Sequence, residues 1–302
     1  MAAVTPDLIK ELREATNAGM LDCKKALTET DGNIEAAVEY LRKKGLSKAA
    51  KVADKIAAEG AILLQVAADH HSATIVEINC ETDFVAKNEN FKVFADEVIN
   101  HIAHGAFATI DELKSKPFGS LSFEEKMGAA IGKLGEKIDI RRFAKLAAQS
   151  GIVNGYLHSN GKVAVIVAVE TAASGLDGFV RDIAMHAAAM KPLYLNEASI
   201  PADVIAKERE IAIELLKKEG KPEAMLDKIV PGKIKKFIAD STLEGQAFVK
   251  DDKKSVAEAL SAAAKALGAT AKLVGYERFE VGEGIAKKSN DFAAEVAAQT
   301  QR

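Results

Sequence analysis

The sequence contains no tryptophan, only two cysteines and only six prolines among 302 residues. Cys23 and Cys80 lie far apart within apolar patterns, so we predict no disulfide framework and a reducing compartment. No segment approaches the roughly 20 consecutive apolar residues that a membrane-spanning helix needs. The first residues also lack the basic and apolar regions of a signal peptide. Together these absences predict a cytoplasmic protein that does not interact with a membrane, and a mature organellar protein whose presequence has been removed is the alternative.

Motifs for nucleotide binding and metal binding are also missing. No Gly-x-x-x-x-Gly-Lys-Ser/Thr loop occurs, and Gly282-Glu283-Gly284 lacks the third glycine and the strand-helix context of a dinucleotide site. His101 and His104 are spaced for one helix face, but no further ligands lie nearby in the sequence. We therefore expect a non-enzyme with no catalytic residues, no cofactor, no metal and no nucleotide of its own. An enzyme whose site assembles only in the fold remains an alternative.

The charge distribution argues against a nucleic-acid partner. Hydrophobic residues make up 48% of the chain, charged residues 28%, and the net charge is −3, as in an ordinary globular protein. A basic run lies between Arg42 and Lys51, but acidic residues balance this segment and no aromatics interleave with it. A solvated helix end is the favoured interpretation. Direct nucleic-acid binding is the rival one, and a steep salt dependence of binding would reveal it.

The first part of the chain is predicted to form a small domain of three helices, residues 1–45. Thr5 is placed to cap the first helix, and Gly45 is a natural stop for the third. Residues 46–58 are predicted to form a helical linker. The apolar pair Met20-Leu21, at the start of the second helix, is compatible with either a core position or a surface that binds a partner.

The rest of the chain has an α+β pattern that occurs twice, in residues 59–147 and 148–282. Each copy has two strands of a hairpin, a helix and a later strand, and Phe94 of the first copy aligns with Phe179 of the second. This pattern predicts duplicated β-β-α-β core subdomains. The predicted strands are 62–66, 74–80 and 138–143 in the first copy and 154–158, 163–169 and 272–280 in the second.

Two helical additions follow from the pattern of the second copy. An antiparallel helical hairpin is predicted at about 201–238, with Pro231 interrupting its second arm. A C-terminal helical module is predicted at 283–302. The side chains expected to face each other across the hairpin are Ile211 and Leu215 on one arm and Met225, Ile229 and Phe237 on the other.

The segment Cys80 to Asn88 is the most informative part of the sequence. It connects an alternating strand to an amphipathic helix, and it places Phe84 directly beside Asp83. The parity of Phe84 matches the buried side of the strand, so spacing alone favours a core position, with Thr82 or Asp83 capping a helix. The second copy has no aromatic residue at the matching place, which favours an exposed contact residue instead.

Three segments together resemble the elongation factor Ts family of bacteria. They are residues 12–27 (LREATNAGMLDCKKAL), residues 79–87 (NCETDFVAK) and residues 278–284 (RFEVGEG). Their order and spacing agree with the family, and the resemblance extends over the whole chain. Two departures are small, since Asn17 replaces a usual glycine and Leu21 replaces a frequent methionine.

The resemblance implies a guanine-nucleotide exchange factor for the translational GTPase elongation factor Tu. It implies a ubiquitin-associated-like (UBA-like) N-terminal domain that docks on this partner, with Met20 and Leu21 at the docking surface. It also implies that a second segment disturbs the partner's Mg²⁺ and phosphate site to release GDP. The residues of this segment are Thr82, Asp83, Phe84 and Val85.

Overall fold

Three helices form the N-terminal part of the computed structural model, which describes residues 4–16 and 18–286. They are α1 (Pro6–Thr16), α2 (Met20–Glu29) and α3 (Ile34–Val52). The predicted cap on α1 is confirmed, because the Thr5 hydroxyl oxygen accepts a hydrogen bond from the Leu8 N–H at 3.3 Å. The three helices share a small core of Leu12, Cys23, Ala26, Leu27 and Ala37.

The predicted helix end at Gly45 is wrong, because α3 continues through this glycine to Val52. The glycine instead allows α3 to pack closely against α7 (Phe123–Leu134). A Cβ atom at residue 45 would lie only 2.7 Å from the Gly128 carbonyl oxygen. The sequence shows a residue that can end a helix, but it does not show that another helix approaches at this position.

The first sheet is antiparallel and has the order β1-β2-β3. Its strands are β1 (Glu59–Val66), β2 (Ser72–Cys80) and β3 (Ile138–Ala147). The predicted hairpin of the first two strands is therefore confirmed. The helices between β2 and β3 are α4 (Asp83–Ala86), α5 (Glu89–His104), α6 (Ile110–Ser115) and α7.

The second sheet repeats this arrangement with the order β4-β5-β8. Helix α8 (Asp177–Met190) follows the second strand of this sheet, as α5 follows the second strand of the first. The strands of the sheet are β4 (Gly151–Leu157), β5 (Val163–Thr171) and β8 (Ala271–Glu280). The elements between α8 and β8 are a short 3₁₀ helix (Glu197–Ser199), α9 (Ala202–Lys218), α10 (Glu223–Ser241), β6 (Ala247–Phe248), β7 (Asp251–Ser255) and α11 (Val256–Ala266).

The two sheets pack face to face and carry helices on their outer faces. Ile62 and Ile75 of the first sheet share one apolar cluster with Val153 and Ile166 of the second. The opposite face of the first sheet packs on α5 and α7, and that of the second sheet packs on α8 and α11. This layering explains why β2 and β5 are buried over almost their whole length.

Helices α9 and α10 form a hairpin whose apolar core lies between its own two arms. Two details of the prediction are wrong. Helix α10 continues through Pro231, because apolar packing on both sides of the proline, at Val230 and Ile234, holds the helix together. The facing residues are also only partly as predicted, since Ile229 packs in the hairpin core, whereas Ile211, Leu215 and Met225 are exposed and Leu216 is buried against α10 instead.

A buried carboxylate fixes the turn that follows β8. Glu77 on β2 is fully buried and accepts hydrogen bonds from Arg142 Nε at 2.6 Å and from Arg141 Nη1 at 3.0 Å. It also accepts one from the backbone N–H of Gly282 at 2.7 Å. The last described residues are thereby tied to the first sheet.

Most of the C-terminal helical module predicted at 283–302, residues 287–302, lies outside the described residues. Within the described ranges, no helix is both long enough and apolar enough to cross a membrane.

Candidate functional site

The segment between β2 and α5 forms a single helical turn, α4. Thr82 has an extended backbone and occupies the N-cap position, with φ −127° and ψ 153°. Its hydroxyl oxygen accepts a hydrogen bond from the Val85 N–H at 3.3 Å. The turn therefore begins with an ordinary threonine cap, and the cap determines the direction in which the next two side chains point.

A single carboxylate holds this turn in place. Glu136, which follows α7, accepts a hydrogen bond from the Thr82 N–H at 3.0 Å and one from the Thr82 hydroxyl at 2.8 Å. The adjacent Glu81 pairs with Lys55 at 2.9 Å. Sequence reasoning missed Glu136, because it lies 54 residues away and belongs to no local motif. The result is a turn whose base is tied to the body of the protein.

Two adjacent apolar residues of the turn, Phe84 and Val85, differ greatly in exposure. The Val85 side chain is only 9% exposed and packs in the core of the first sheet, whereas Phe84 is 81% exposed. The interpretation of Phe84 as a core residue is therefore wrong. The strand ends at Cys80, so the period-2 parity does not extend to residue 84.

Asp83 lies beside this exposed aromatic ring and carries a negative charge. Its carboxylate pairs with Lys87 one helical turn later, at 2.6 Å. The hydrogen bond from Lys87 lowers the pKa of the Asp83 carboxyl. The turn thus presents an exposed aromatic side chain next to an ionised carboxylate, and the turn is held on the protein by Val85, which packs in the core of the first sheet.

Cys80 and His101 do not provide a reactive site near the turn. Burial, reinforced by the charge of Glu136, raises the pKa of the Cys80 thiol to about 12, so the thiol is protonated at neutral pH. His101 stacks on the Phe118 ring with ring centroids 4.0 Å apart. Within the part of the chain that the structure describes, no three His, Cys, Asp or Glu side chains are grouped so as to hold a metal ion.

Met20 and Leu21 form a second exposed apolar surface, at the first turn of α2. Their exposed fractions are 59% and 83%, so neither belongs to the core of the N-terminal helices. The residue before them, Gly19, has an extended backbone and provides no side-chain cap. An apolar pair left in solvent at a helix start is suited to contact with another protein.

The basic run at the end of α3 is largely neutralised within the protein. Arg42 pairs with Glu125 of α7, and Lys44 pairs with Asp22 at 2.5 Å. Lys48 donates a hydrogen bond to the Gly132 carbonyl oxygen at 3.0 Å. These contacts hold Arg42, Lys44 and Lys48 against other elements of the protein.

Comparison with known proteins identifies the family. Residues 81–283 match the family model for elongation factor Ts. The elongation factor Ts of a Nitratiruptor species is 56% identical over 98% of this chain and 99% of that protein. That of Helicobacter hepaticus is 44% identical over the full length of both chains. The chain belongs to the elongation factor Ts family.

Membership of the elongation factor Ts family assigns the protein to protein biosynthesis, as a nucleotide exchange factor of translation elongation. Such a factor changes the affinity of a partner for its ligand and needs no catalytic residues of its own. The α4 turn and the Met20-Leu21 pair are the two exposed apolar features that the sequence singled out, and they lie on separate parts of the fold.

Proposed function

We propose that this chain binds elongation factor Tu in its GDP form and uses the α4 turn to promote release of GDP. One observation carries the proposal, namely that Phe84 is exposed on a turn whose base is tied down by Glu136 and Val85. A rigidly held aromatic side chain can enter a partner with little loss of conformational entropy. We propose that Phe84 inserts between helices of the partner and that Asp83 lies near its Mg²⁺ site.

The energetics of exchange favour a contact near magnesium and phosphate. Mg²⁺ and the backbone amides of the phosphate loop are major contributors to nucleotide binding in such GTPases. A factor that displaces them binds the empty GTPase more tightly than the loaded one, and the nucleotide weakens the factor's binding to the same extent. Each tenfold reduction in affinity corresponds to a difference of about 1.4 kcal/mol between the free energies with which the factor binds the empty and the loaded GTPase.

The N-terminal helices supply a second contact in this proposal. Met20 and Leu21 would dock on the partner, and residues 1–45 would act as a UBA-like docking domain connected to the core by residues 46–58. The exposure of both side chains supports this assignment. The duplicated subdomains, residues 59–147 and 148–282, would form the body that holds the α4 turn against the partner in the cytoplasm.

The direct test measures release of fluorescently labelled GDP from purified elongation factor Tu, with and without this chain and without RNA. We expect release to accelerate with factor concentration and then to saturate. Calorimetric titration of the chain alone with GDP is expected to show no binding, since the sequence contains no phosphate loop. Unchanged release at saturating factor, or micromolar GDP binding by the chain itself, would contradict the proposal.

A further inference from the structure

A cavity of about 430 Å³ lies between the N-terminal helices and α7. Its volume falls within the roughly 300–1,000 Å³ typical of small-molecule sites. Val38 and Leu41 of α3 form an apolar wall on one side of the cavity, and Leu121 and Ala129, from the segment that contains α7, add apolar surface. No aromatic side chain is among its described lining residues, so its walls suit an aliphatic group better than a stacked ring.

Basic side chains dominate the polar part of this cavity. Five of them line it, whereas Asp22 is the single acidic residue among the described lining residues. Three of the five already have partners, as described above for Arg42, Lys44 and Lys48. The five basic residues are Arg42, Lys44, Lys48, Lys51 and Lys133.

The other two lysines, Lys51 and Lys133, have no side-chain partner among the described residues. They come from different parts of the fold, since Lys51 is on α3 and Lys133 is on α7. Two cations left without partners beside an apolar wall form a surface that is complementary to an anion with a hydrocarbon body.

We propose that this cavity binds a small aliphatic anion, with its charged group at Lys51 and Lys133 and its hydrocarbon body extending along α3 toward Leu41. Gly19 and Asp22, which flank the exposed Met20-Leu21 pair, also line the cavity. A bound anion therefore lies directly behind this pair and bridges the N-terminal helices to α7. A carboxylate or a phosphate monoester would satisfy the same chemistry.

Calorimetric titration of the full chain with octanoate, octyl phosphate and the neutral octanol tests this site. We expect one site per chain for at least one of the two anions, and at least about tenfold weaker binding of octanol, because octanol cannot form the charged contacts. The relative affinities of the two anions distinguish a carboxylate ligand from a phosphate ligand. Equal binding of octanol, or no binding of either anion, would overturn the proposal.

Two variants locate the binding within the molecule. The double variant Lys51→Gln/Lys133→Gln should weaken anion binding about tenfold or more. The matched control is the double variant Lys253→Gln/Lys272→Gln, which changes two exposed lysines outside the cavity and should leave anion binding unchanged. Ala129→Phe places a large ring in the cavity from an exposed helix position, and it should abolish binding without lowering the melting temperature. Undiminished binding in Ala129→Phe would show that the anion binds elsewhere.

Discussion

Phe84 and Val85 are adjacent residues of one helical turn, yet Phe84 is 81% exposed and Val85 is 9% exposed. Successive residues of a helix point about 100° apart, so a single turn can bury one of them and expose the next. Thr82 fixes which residue is buried, because its hydrogen bonds to Glu136 and to the Val85 N–H set the start of the turn. The exposed ring is thus a consequence of the way in which the turn is anchored.

Replacing Phe84 by alanine should impair nucleotide exchange without changing the stability of the protein. The side chain is exposed, so the free energy of unfolding should change by no more than about 0.5 kcal/mol. Loss of the ring should nevertheless slow GDP release from elongation factor Tu at equal factor concentration. Leu267→Ala, which also truncates an exposed apolar residue, serves as the control in both a thermal melt and a stopped-flow release assay. Normal release by Phe84→Ala would contradict the proposed role of the ring.

Thr82→Val tests whether anchoring of the turn matters. The substitution keeps the shape of the side chain but removes the hydroxyl, which donates to Glu136 and accepts from the Val85 N–H. Loss of a threonine cap should cost about 1 kcal/mol of stability. GDP release should slow, but less than in Phe84→Ala, because the ring remains present. A matched change at another helix cap, Thr109→Val, should affect stability but not release.

Much of the sheet framework could be predicted from the sequence, because alternation and apolar runs report burial within one element. The strand pairs were identified in this way, with differences of a few residues at their ends. Features that depend on two distant elements could not be identified. The carboxylate of Glu136 and the helix that passes Gly45 are examples, since no local pattern indicates which other element lies nearby.

Local sequence patterns also could not identify all the residues that face each other across the helical hairpin. Both arms carry apolar residues on more than one face, so periodicity allows several ways of pairing them. The observed pairing buries Leu216 with Leu226, Val230 and Ile234, and it leaves Ile211 and Leu215 exposed. Only the three-dimensional arrangement of the arms decides between these faces.

Gly45→Ala should destabilise the contact between α3 and α7. A Cβ at residue 45 would lie 2.7 Å from the Gly128 carbonyl oxygen, so the two helices must move apart. This strain should outweigh the roughly 1 kcal/mol by which alanine is a better helix former than glycine. The control is Gly132→Ala, whose Cβ would lie 3.4 Å from the nearest atom, Gly45 Cα. Urea denaturation should therefore show a less stable Gly45→Ala and an equally or more stable Gly132→Ala.

Glu77→Gln should weaken the connection between the first sheet and the turn after β8. Burial raises the pKa of Glu77, but hydrogen bonds from the Gly282 N–H, Arg142, Arg141 and Asn79 outweigh burial, and the net pKa is lowered. The carboxylate is therefore ionised, and its loss leaves two arginines without their buried partner. The cost should be roughly 1–3 kcal/mol, as for a buried hydrogen-bonding group that loses its partner, because both arginines are partly exposed and Arg142 keeps its ion pair with Glu283. Denaturant unfolding measures the change, and a cost below about 1 kcal/mol would show that the arginines find other partners.

The buried His186 should make the protein less stable in mild acid. Its Nε2 lies 3.0 Å from Gln246 Oε1, and its Nδ1 accepts a hydrogen bond from the Val249 N–H at 3.2 Å, so the ring is held in its neutral form. Burial lowers the pKa of His186 below the value of about 6.5 expected in the unfolded chain. The unfolded state therefore binds more protons between these two pKa values, and the free energy of unfolding falls as the pH drops below about 6.5.

The variant His186→Gln tests this explanation. It should be less stable than the wild type at neutral pH, but it should lose less additional stability on acidification. The exposed His104→Gln is the control, and it should retain the wild-type decline in a series of denaturant titrations across this pH range. An unchanged decline in His186→Gln would assign the acid sensitivity to other groups, such as His101, whose pKa burial also lowers.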